Sequence, residues 1–307
     1  MNHYDVVVIG AGASGLTTAL YTAREGLKTL VIEKGIYGGQ MQDTAEIENY
    51  SGFETLTGEE LSERMYNQAI NQGVEYMYGN VNEVKKVNNL FNVYMDDETV
   101  VAKSVVIATG VEHRHLDVKG ESELAGRGVS YCALCDGAFF KDKDIVVVGG
   151  GDSALEEANY LTKFAERVTI LHRGSKFSGQ SVLQERVKNN DKIQVIMNAQ
   201  VKEIIGETEV ENLSVDIKDE DGYVENGDLP CNGIFIYIAL NPTTEAFKEN
   251  GILDKHGYVI TDENMKTSVE GLFAVGDVRQ KEVRQVATAV GDGAIAGVSA
   301  SKYLENL

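Results

Sequence analysis

Apolar positions along this chain fall into short continuous runs, each closed by glycine or a charge, with helically spaced segments between them. The first run, Tyr4-Asp5-Val6-Val7-Val8-Ile9, has the β-branched content of a strand buried on both faces of a parallel sheet. A glycine turn at 10–15 follows, then a helical stretch over 16–25 and a strand over 28–32 that ends in Glu33. Residues 59–72 have the spacing of an amphipathic helix. Residues 74–77 and roughly 80–101 read as short strands around turns at Asn88-Asn89 and Asp96-Asp97, and 105–110 as a buried strand closing on Gly110. The polar stretch 111–126 reads as a hinge. The pattern then begins again, with a strand at 144–148, a glycine turn at 149–154, a helix over 155–164 and a strand at 167–171. Short strands over 193–237 end in an apolar run at 233–237, and a turn is expected at Asn241-Pro242. A strand over 271–277 closes on Gly276-Asp277, and a helix starts near Arg284-Gln285 and runs through small residues to Ala300.

The two glycine turns give the repeat a chemistry. Gly10-Ala11-Gly12-Ala13-Ser14-Gly15 stands directly after a strand and opens a helix, and Glu33 follows about 20 residues on. Glycines there permit the tight turn and close backbone approach to a pyrophosphate at a helix N-terminus, while the acid accepts from a ribose hydroxyl. The second copy, Gly149-Gly150-Gly151-Asp152-Ser153-Ala154, carries Ala154 for the third glycine, which the fingerprint permits. At the position matching Glu33 it offers His172, followed by Arg173 and Lys176. A cationic corner suits a 2′-phosphate, so the first copy is expected to hold a nucleotide with a free ribose and the second NADPH. A solvated basic turn is the plainer reading of the same residues. The chain is therefore expected to be α/β, with two Rossmann-like nucleotide-binding domains. Asp277 is expected to face a polar chain of the first nucleotide. Gly291 and Gly293 inside the last helix, at about 1 kcal/mol each relative to alanine, are read as allowing a close approach by a cofactor or a strand, with packing alone as the alternative.

Between the two loops lies Cys132-Ala133-Leu134-Cys135-Asp136-Gly137. Two thiols at this spacing can close and reopen an intramolecular disulfide. The same spacing supplies half of many zinc sites, which require four ligands. The remaining cysteine, Cys231, is expected to be a small buried hydrophobe. Asp136 is the nearest carboxylate in sequence and a candidate general acid/base; a helix-start cap is the alternative.

Composition bounds the setting. A chain of 307 residues with 43% hydrophobic and 25% charged positions has room for two ordinary globular domains. Its net charge of −20 disfavours binding to nucleic acid or to anionic membrane surfaces. No apolar run approaches the ~18 residues of a membrane span, and with a strand expected from Tyr4 no secretory leader is expected ahead of it. Three cysteines make no disulfide framework, and free thiols fit a cytoplasmic setting.

Together, the two glycine loops, Gly38-Gly39-Gln40, Ala108-Thr109-Gly110, the Cys132–Gly137 stretch, Gly276-Asp277-Val278 and Arg284-Gln285 resemble the low-molecular-weight thioredoxin reductases of the pyridine nucleotide-disulfide oxidoreductase class, over essentially the whole chain. The resemblance implies three-layer β/β/α domains: a discontinuous FAD-binding domain of residues 1–113 and 244–307, and an inserted NADPH-binding domain, 114–243, that carries the C-x-x-C. It assigns FAD contacts to Gly10, Gly12, Ser14, Gly15, Glu33, Lys34, Gly39, Gln40, Asn49, Val81, Thr109, Gly110, Gly276, Asp277, Arg284, Gln285 and Val286. NADPH contacts fall to Gly149, Gly151, Asp152, Ser153, Ala154, His172, Arg173 and Lys176. It further implies a homodimer that reduces thioredoxin or a thioredoxin-like protein, with Cys135 facing the flavin and Cys132 attacking the partner disulfide. The family's NADPH signature H-R-R-x-x-x-R reads here His172-Arg173-Gly174-Ser175-Lys176-Phe177-Ser178. Only Arg173 keeps a bidentate phosphate contact, for which Lys176 is not an equivalent. NADH, reduced ferredoxin or a dithiol-oxidase direction therefore stand as alternatives. One flavin face cannot meet a nicotinamide and a disulfide together, so the second domain is expected to rotate about hinges near 111–118 and 240–246.

Overall fold

The computed structural model describes residues 3–44, 47–96, 98–219, 222–238 and 240–307. Of the turn expected at Asp96-Asp97, Asp97 lies outside the described residues. Two compact units divide the chain: one holds the residues up to Glu112 together with Asn241–Leu307, the other holds His113–Leu240 and is inserted between those two segments.

The first unit opens with β1 (His3–Ile9), α1 (Ala13–Arg24) and β2 (Thr29–Glu33), followed by α2 (Gly58–Ile70), β3 (Glu75–Tyr78), β4 (Val81–Val87), β5 (Leu90–Met95) and β6 (Thr99–Ile107). β3, β2, β1 and β6 lie side by side and parallel, while β4, β5 and the start of β6 form an antiparallel meander. Strand β1 is apolar on consecutive positions because it is covered twice. Val6 and Val8 pack with Leu16, Ala296 and Ala300 of the helical layer, and Val7 and Ile9 with Phe91 and Val93 of the meander. Full burial of such side chains contributes roughly 1.5–3 kcal/mol each. Helix α2 starts on a capping box: Thr57 Oγ1 accepts from the Glu60 N–H and Glu60 accepts from the Thr57 N–H.

The chain leaves the first unit through β7 (Val111–His113). The inserted unit contains β8 (Val129–Ser130), α3 (Ala133–Asp136), β9 (Asp144–Gly149), α4 (Asp152–Leu161), β10 (Arg167–Leu171), α5 (Ser181–Lys188) and β11 (Ile193–Ile196). It continues through β12 (Ala199–Ile205), β13 (Asn212–Lys218), β14 (Val224–Pro230) and β15 (Gly233–Tyr237). A five-stranded parallel sheet in the order β11-β10-β9-β15-β8 is joined by a three-stranded antiparallel sheet, β12-β13-β14. The layering repeats: Ile145 and Val147 face Leu155 and Leu161, while Val146 and Val148 face Val201 and Leu213. The return strand β16 (Leu240–Pro242) pairs with β7, so the turn expected at Asn241-Pro242 is instead a short extended segment, with proline at its last residue where a missing donor is tolerated. β17 (Leu272–Ala274) then adds parallel to β6, and α6 (Val286–Glu305) closes the first unit.

Three features refine or add to the expectations. Helices α1 and α4 begin within the glycine turns, at Ala13 and Asp152, because the end of each fingerprint forms the first helical turn against its sheet. Helix α5 had no sequence signature beyond Leu183 and Val187, its only buried side chains. Gly293 of α6 is set against α1, where a Cβ would stand 2.4 Å from the Ser14 carbonyl oxygen, so at Gly293 it is the packing alternative, helix against helix, that holds.

Candidate functional site

The disulfide is formed: Cys132 and Cys135 are bonded across Cα atoms 5.3 Å apart. Strand β8 delivers Cys132, which takes the N-cap of the four-residue helix α3. Its sulfur accepts from the Cys135 N–H at 3.1 Å, and its carbonyl accepts from the Asp136 N–H at 3.1 Å. The Ala133 N–H donates to the Tyr237 hydroxyl at 2.9 Å, pinning the turn to the end of β15. Cys132 is half-buried and Cys135 exposed. Asp136 ends α3 and caps nothing with its side chain, so the helix-start role does not hold; its Oδ2 accepts from the Ser130 hydroxyl at 2.7 Å. Among the described residues no three His, Cys, Asp or Glu side chains gather in a way that could hold a metal ion. Cys231 is buried, and burial pushes its thiol up to about 12, so it is inert at neutral pH.

Just upstream, Glu121 is buried and receives the N–H groups of Leu116 and Asp117 at 2.9 and 2.7 Å and the Tyr131 hydroxyl at 2.6 Å. His115 Nδ1 lies 2.7 Å from the same hydroxyl. Burial, then the Glu121 carboxylate beside it, raises the Tyr131 phenol far above its ordinary value. Nothing in the sequence marked this cluster, because its members are separated by turns.

In the same unit, β9 ends on Gly149, whose φ of +154° and 2.3 Å approach of a would-be Cβ to the Tyr237 carbonyl oxygen leave room for glycine alone. Gly151 caps α4 without a side-chain bond, and Asp152, Ser153 and Ala154 form the first helical turn. Asp152 turns to Gln180, accepting its backbone N–H and its Nε2 at 2.7 Å each. The His172 ring lies on Gly150, where a Cβ would stand 2.3 Å from Nδ1, and its Nε2 is 2.9 Å from the Lys176 carbonyl oxygen. Arg173 and Lys176 are exposed and form no ion pair among the described residues.

In the first unit several of the predicted residues meet at the end of β1, and the others are held by partners of their own. Gly10 has φ +107°, and a Cβ would meet the Ala108 carbonyl oxygen at 2.3 Å; at Gly15 it would meet the Gly10 carbonyl oxygen at 2.0 Å. In front of Gly12 nothing lies within 4 Å of a would-be Cβ. Glu33 Oε2 accepts from the Ala11 N–H at 2.7 Å and Oε1 from the Gly35 N–H at 2.9 Å, fixing the carboxylate beside the loop. Gly39 approaches Gly12, and Gln40 Nε2 donates to the Val111 carbonyl at 2.6 Å. Thr109 Oγ1 donates to the Thr243 carbonyl at 2.6 Å, next to Gly110. Asn49 Nδ2 donates to Gln285 Oε1 at 3.0 Å, ahead of Val286 at the start of α6. Lys34 pairs with Glu112, and Val81 opens the meander against the core.

Gly276, with φ +74°, packs on Ser14, where a Cβ would come within 2.4 Å of Oγ. Asp277 follows it with Oδ1 buried and without a hydrogen bond. Burial raises its carboxyl above the ordinary range against the pull of Lys281, 3.7 Å away, and Arg284. Arg284 itself stacks over Tyr258. Asp292 carries the frame of this turn, accepting from the Gly276 N–H at 3.1 Å, Arg279 Nη1 at 2.9 Å and Lys281 Nζ at 3.0 Å.

A family model described as pyridine nucleotide-disulphide oxidoreductase matches residues 4–293. The chain is 49% identical over 304 residues to the thioredoxin reductase of Listeria monocytogenes, covering 99% of this chain and 95% of that one. It is similar to the crystal structure of Lactococcus lactis thioredoxin reductase at 46% identity, with 99% and 100% coverage and a TM-score of 0.96. To the T. acidophilum thioredoxin reductase structure it is 37% identical, with 100% and 99% coverage and a TM-score of 0.94.

Proposed function

Because the chain belongs to the pyridine nucleotide-disulphide oxidoreductase family, we propose that it is a thioredoxin reductase working with FAD and NADPH. The observation that carries this reading is the closed Cys132–Cys135 bond, mounted in the same unit as the second glycine loop.

The first unit suits FAD on three counts. The space before Gly12 is open, helix α1 starts without an acid in its first turn, and Asp277 keeps a buried oxygen in want of a donor. The Gly10–Gly15 backbone and the α1 N-terminus would hold the pyrophosphate, Glu33 a ribose, and Asp277 a polyhydroxyl chain. A flavin bound there supplies the conversion between a nicotinamide hydride and an electron pair for a disulfide. NADPH would lie over Gly149–Gly151, with Arg173 as the principal contact for its 2′-phosphate and Lys176 beside it.

Once the pair is reduced, the chain's own residues do the rest. Cys132, as thiolate, attacks one sulfur of the thioredoxin disulfide; that bond breaks and the leaving sulfur takes a proton. Cys135 then attacks Cys132 of the mixed disulfide, releasing the second thioredoxin sulfur and closing Cys132–Cys135. Asp136 carries the proton between the cysteines and the leaving sulfur. The same reading makes the enzyme a cytoplasmic homodimer, supported by the exposed apolar Ile295 and Val298 on α6.

Anaerobic mixing of purified enzyme with NADPH or NADH, followed by thioredoxin, tests the proposal. Flavin bleaching and thioredoxin reduction are both expected, with higher kcat/KM for NADPH. Cys132→Ser is expected to bleach normally yet lose thioredoxin turnover; retained turnover would remove the assignment.

A further inference from the structure

We infer that Ser130 is a positioning residue for Asp136, holding its carboxyl beside Cys132 in both protonation states. The inference rests on the proposed proton-carrying role of Asp136.

Ser130 ends β8, the edge strand registered through Phe235↔Ser130 against β15, and is buried at 4% exposure. Its Oγ stands at the centre of three polar contacts. It lies 2.7 Å from Asp136 Oδ2, 3.3 Å from the Cys132 carbonyl oxygen, and 3.1 Å from the Cys132 N–H that donates to it. A hydroxyl has one hydrogen and two lone pairs, so donation to Asp136 and donation to the Cys132 carbonyl are alternatives.

With Asp136 ionised, the hydrogen goes to the carboxylate, the shorter and charge-assisted bond. With Asp136 protonated, its own hydrogen donates to Ser130 Oγ, and the serine hydrogen turns to the Cys132 carbonyl. The Cys132 N–H keeps a lone pair in both states. The hydroxyl hydrogen and the lone pair facing the Cys132 N–H are therefore used before and after proton transfer, the second lone pair is used only when Asp136 is protonated, and the exchange needs a hydroxyl rotation and no backbone movement.

No other group among the described residues donates to the Asp136 side chain. The neighbouring N–H groups are already committed: Ala133 to Tyr237, Cys135 to Cys132 Sγ and Asp136 to the Cys132 carbonyl. Without Ser130 the carboxyl loses its one anchor and the Cys132 N–H loses its acceptor. In the exchange, the dithiol gives up two electrons and the attacked disulfide gains them. Asp136 protonates the leaving sulfur and recovers a proton from the Cys135 thiol, so the carboxyl must return to one place.

The test uses holoenzyme with the pair reduced by dithiothreitol and desalted. It measures the rate of closure by bis(2-hydroxyethyl) disulfide and, separately, thioredoxin turnover. Ser130→Ala is expected to slow both roughly tenfold, a fraction of what a general acid contributes, with flavin content unchanged. Ser130→Thr, which keeps the hydroxyl, is expected to return to within about twofold. In an Asp136→Asn background, Ser130→Ala is expected to cost less than about twofold, since a residue acting through Asp136 has nothing left to position. An equal slowing in both backgrounds would overturn the inference, as would an unimpaired Ser130→Ala or an Asp136→Asn variant of full speed. If wild-type enzyme closes with the small disulfide but never turns over thioredoxin, the functional proposal fails while the Ser130 result is still read from the small disulfide.

Discussion

Two carboxyls, the buried Glu121 and the half-buried Asp277, are pushed in opposite directions by their surroundings. At Glu121 burial favours the neutral acid, but the Tyr131 hydroxyl, the N–H groups of Leu116 and Asp117 and the nearby His115 outweigh it and leave the carboxyl below the ordinary range. A depressed folded value means that Glu121 stabilises fully above the unfolded glutamate value, and that the contribution disappears as pH falls through the folded one. Wild type is thus expected to lose stability on acidification below about pH 4 more steeply than Glu121→Gln, followed by urea unfolding at stepped pH. At neutral pH Glu121→Ala is expected to cost about 2–3 kcal/mol, because three donors lose their acceptor. Asp277 is the reverse case. Its raised carboxyl makes ionisation a cost to the folded state that grows as pH climbs from the unfolded value to the folded one. Asp277→Asn is expected to leave the flavin-free protein at least as stable at neutral pH while weakening flavin affinity by roughly tenfold or more, on the scale of a lost charge-assisted hydrogen bond. A fluorescence titration of stripped protein measures it, and unchanged affinity would release Asp277 from the site.

The first glycine loop separates folding from binding. Gly15 packs on the Gly10 carbonyl with no space for a methyl group, whereas Gly12, at an ordinary φ of −73°, has open space in front of it. Gly15→Ala is expected to lower the melting temperature of the flavin-free protein markedly. Gly12→Ala is expected to cost less than about 1 kcal/mol of stability, as cap exchanges do, yet to block flavin uptake by filling the cradle. Equal effects of the two on stability would mean that the space before Gly12 is not a ligand site. Other elements were differently legible. Helix α2 was readable because its apolar spacing runs the full length of the element. Helix α5 offers two anchors one turn apart, too few to establish a period.

Across the whole molecule, one plan appears twice: a parallel sheet with helices on one face and antiparallel strands on the other, in each of two units. The duplication was legible because strand, glycine turn and helix are contiguous and recur in one order. The proposed homodimer is expected to sediment at twice the chain mass, and Ile295→Glu combined with Val298→Glu to shift it to the monomer. A wild-type monomer at micromolar concentration would refute the dimer.

By itself the sequence determined what contiguous residues can determine: the two fingerprints, the dithiol spacing, the acid after the first repeat and the basic turn after the second. Each is local because its geometry is set within one turn of chain, by φ at Gly10 and Gly149 or by three residues between two sulfurs. Only the tertiary structure decided how those groups are held. Ser130 and Tyr237 secure the redox turn from two neighbouring strands, Asp292 gathers Gly276, Arg279 and Lys281, and Gln180 engages Asp152. Such partners meet across sheets and turns, where pairing depends on the register of whole elements and leaves no periodic trace in the chain.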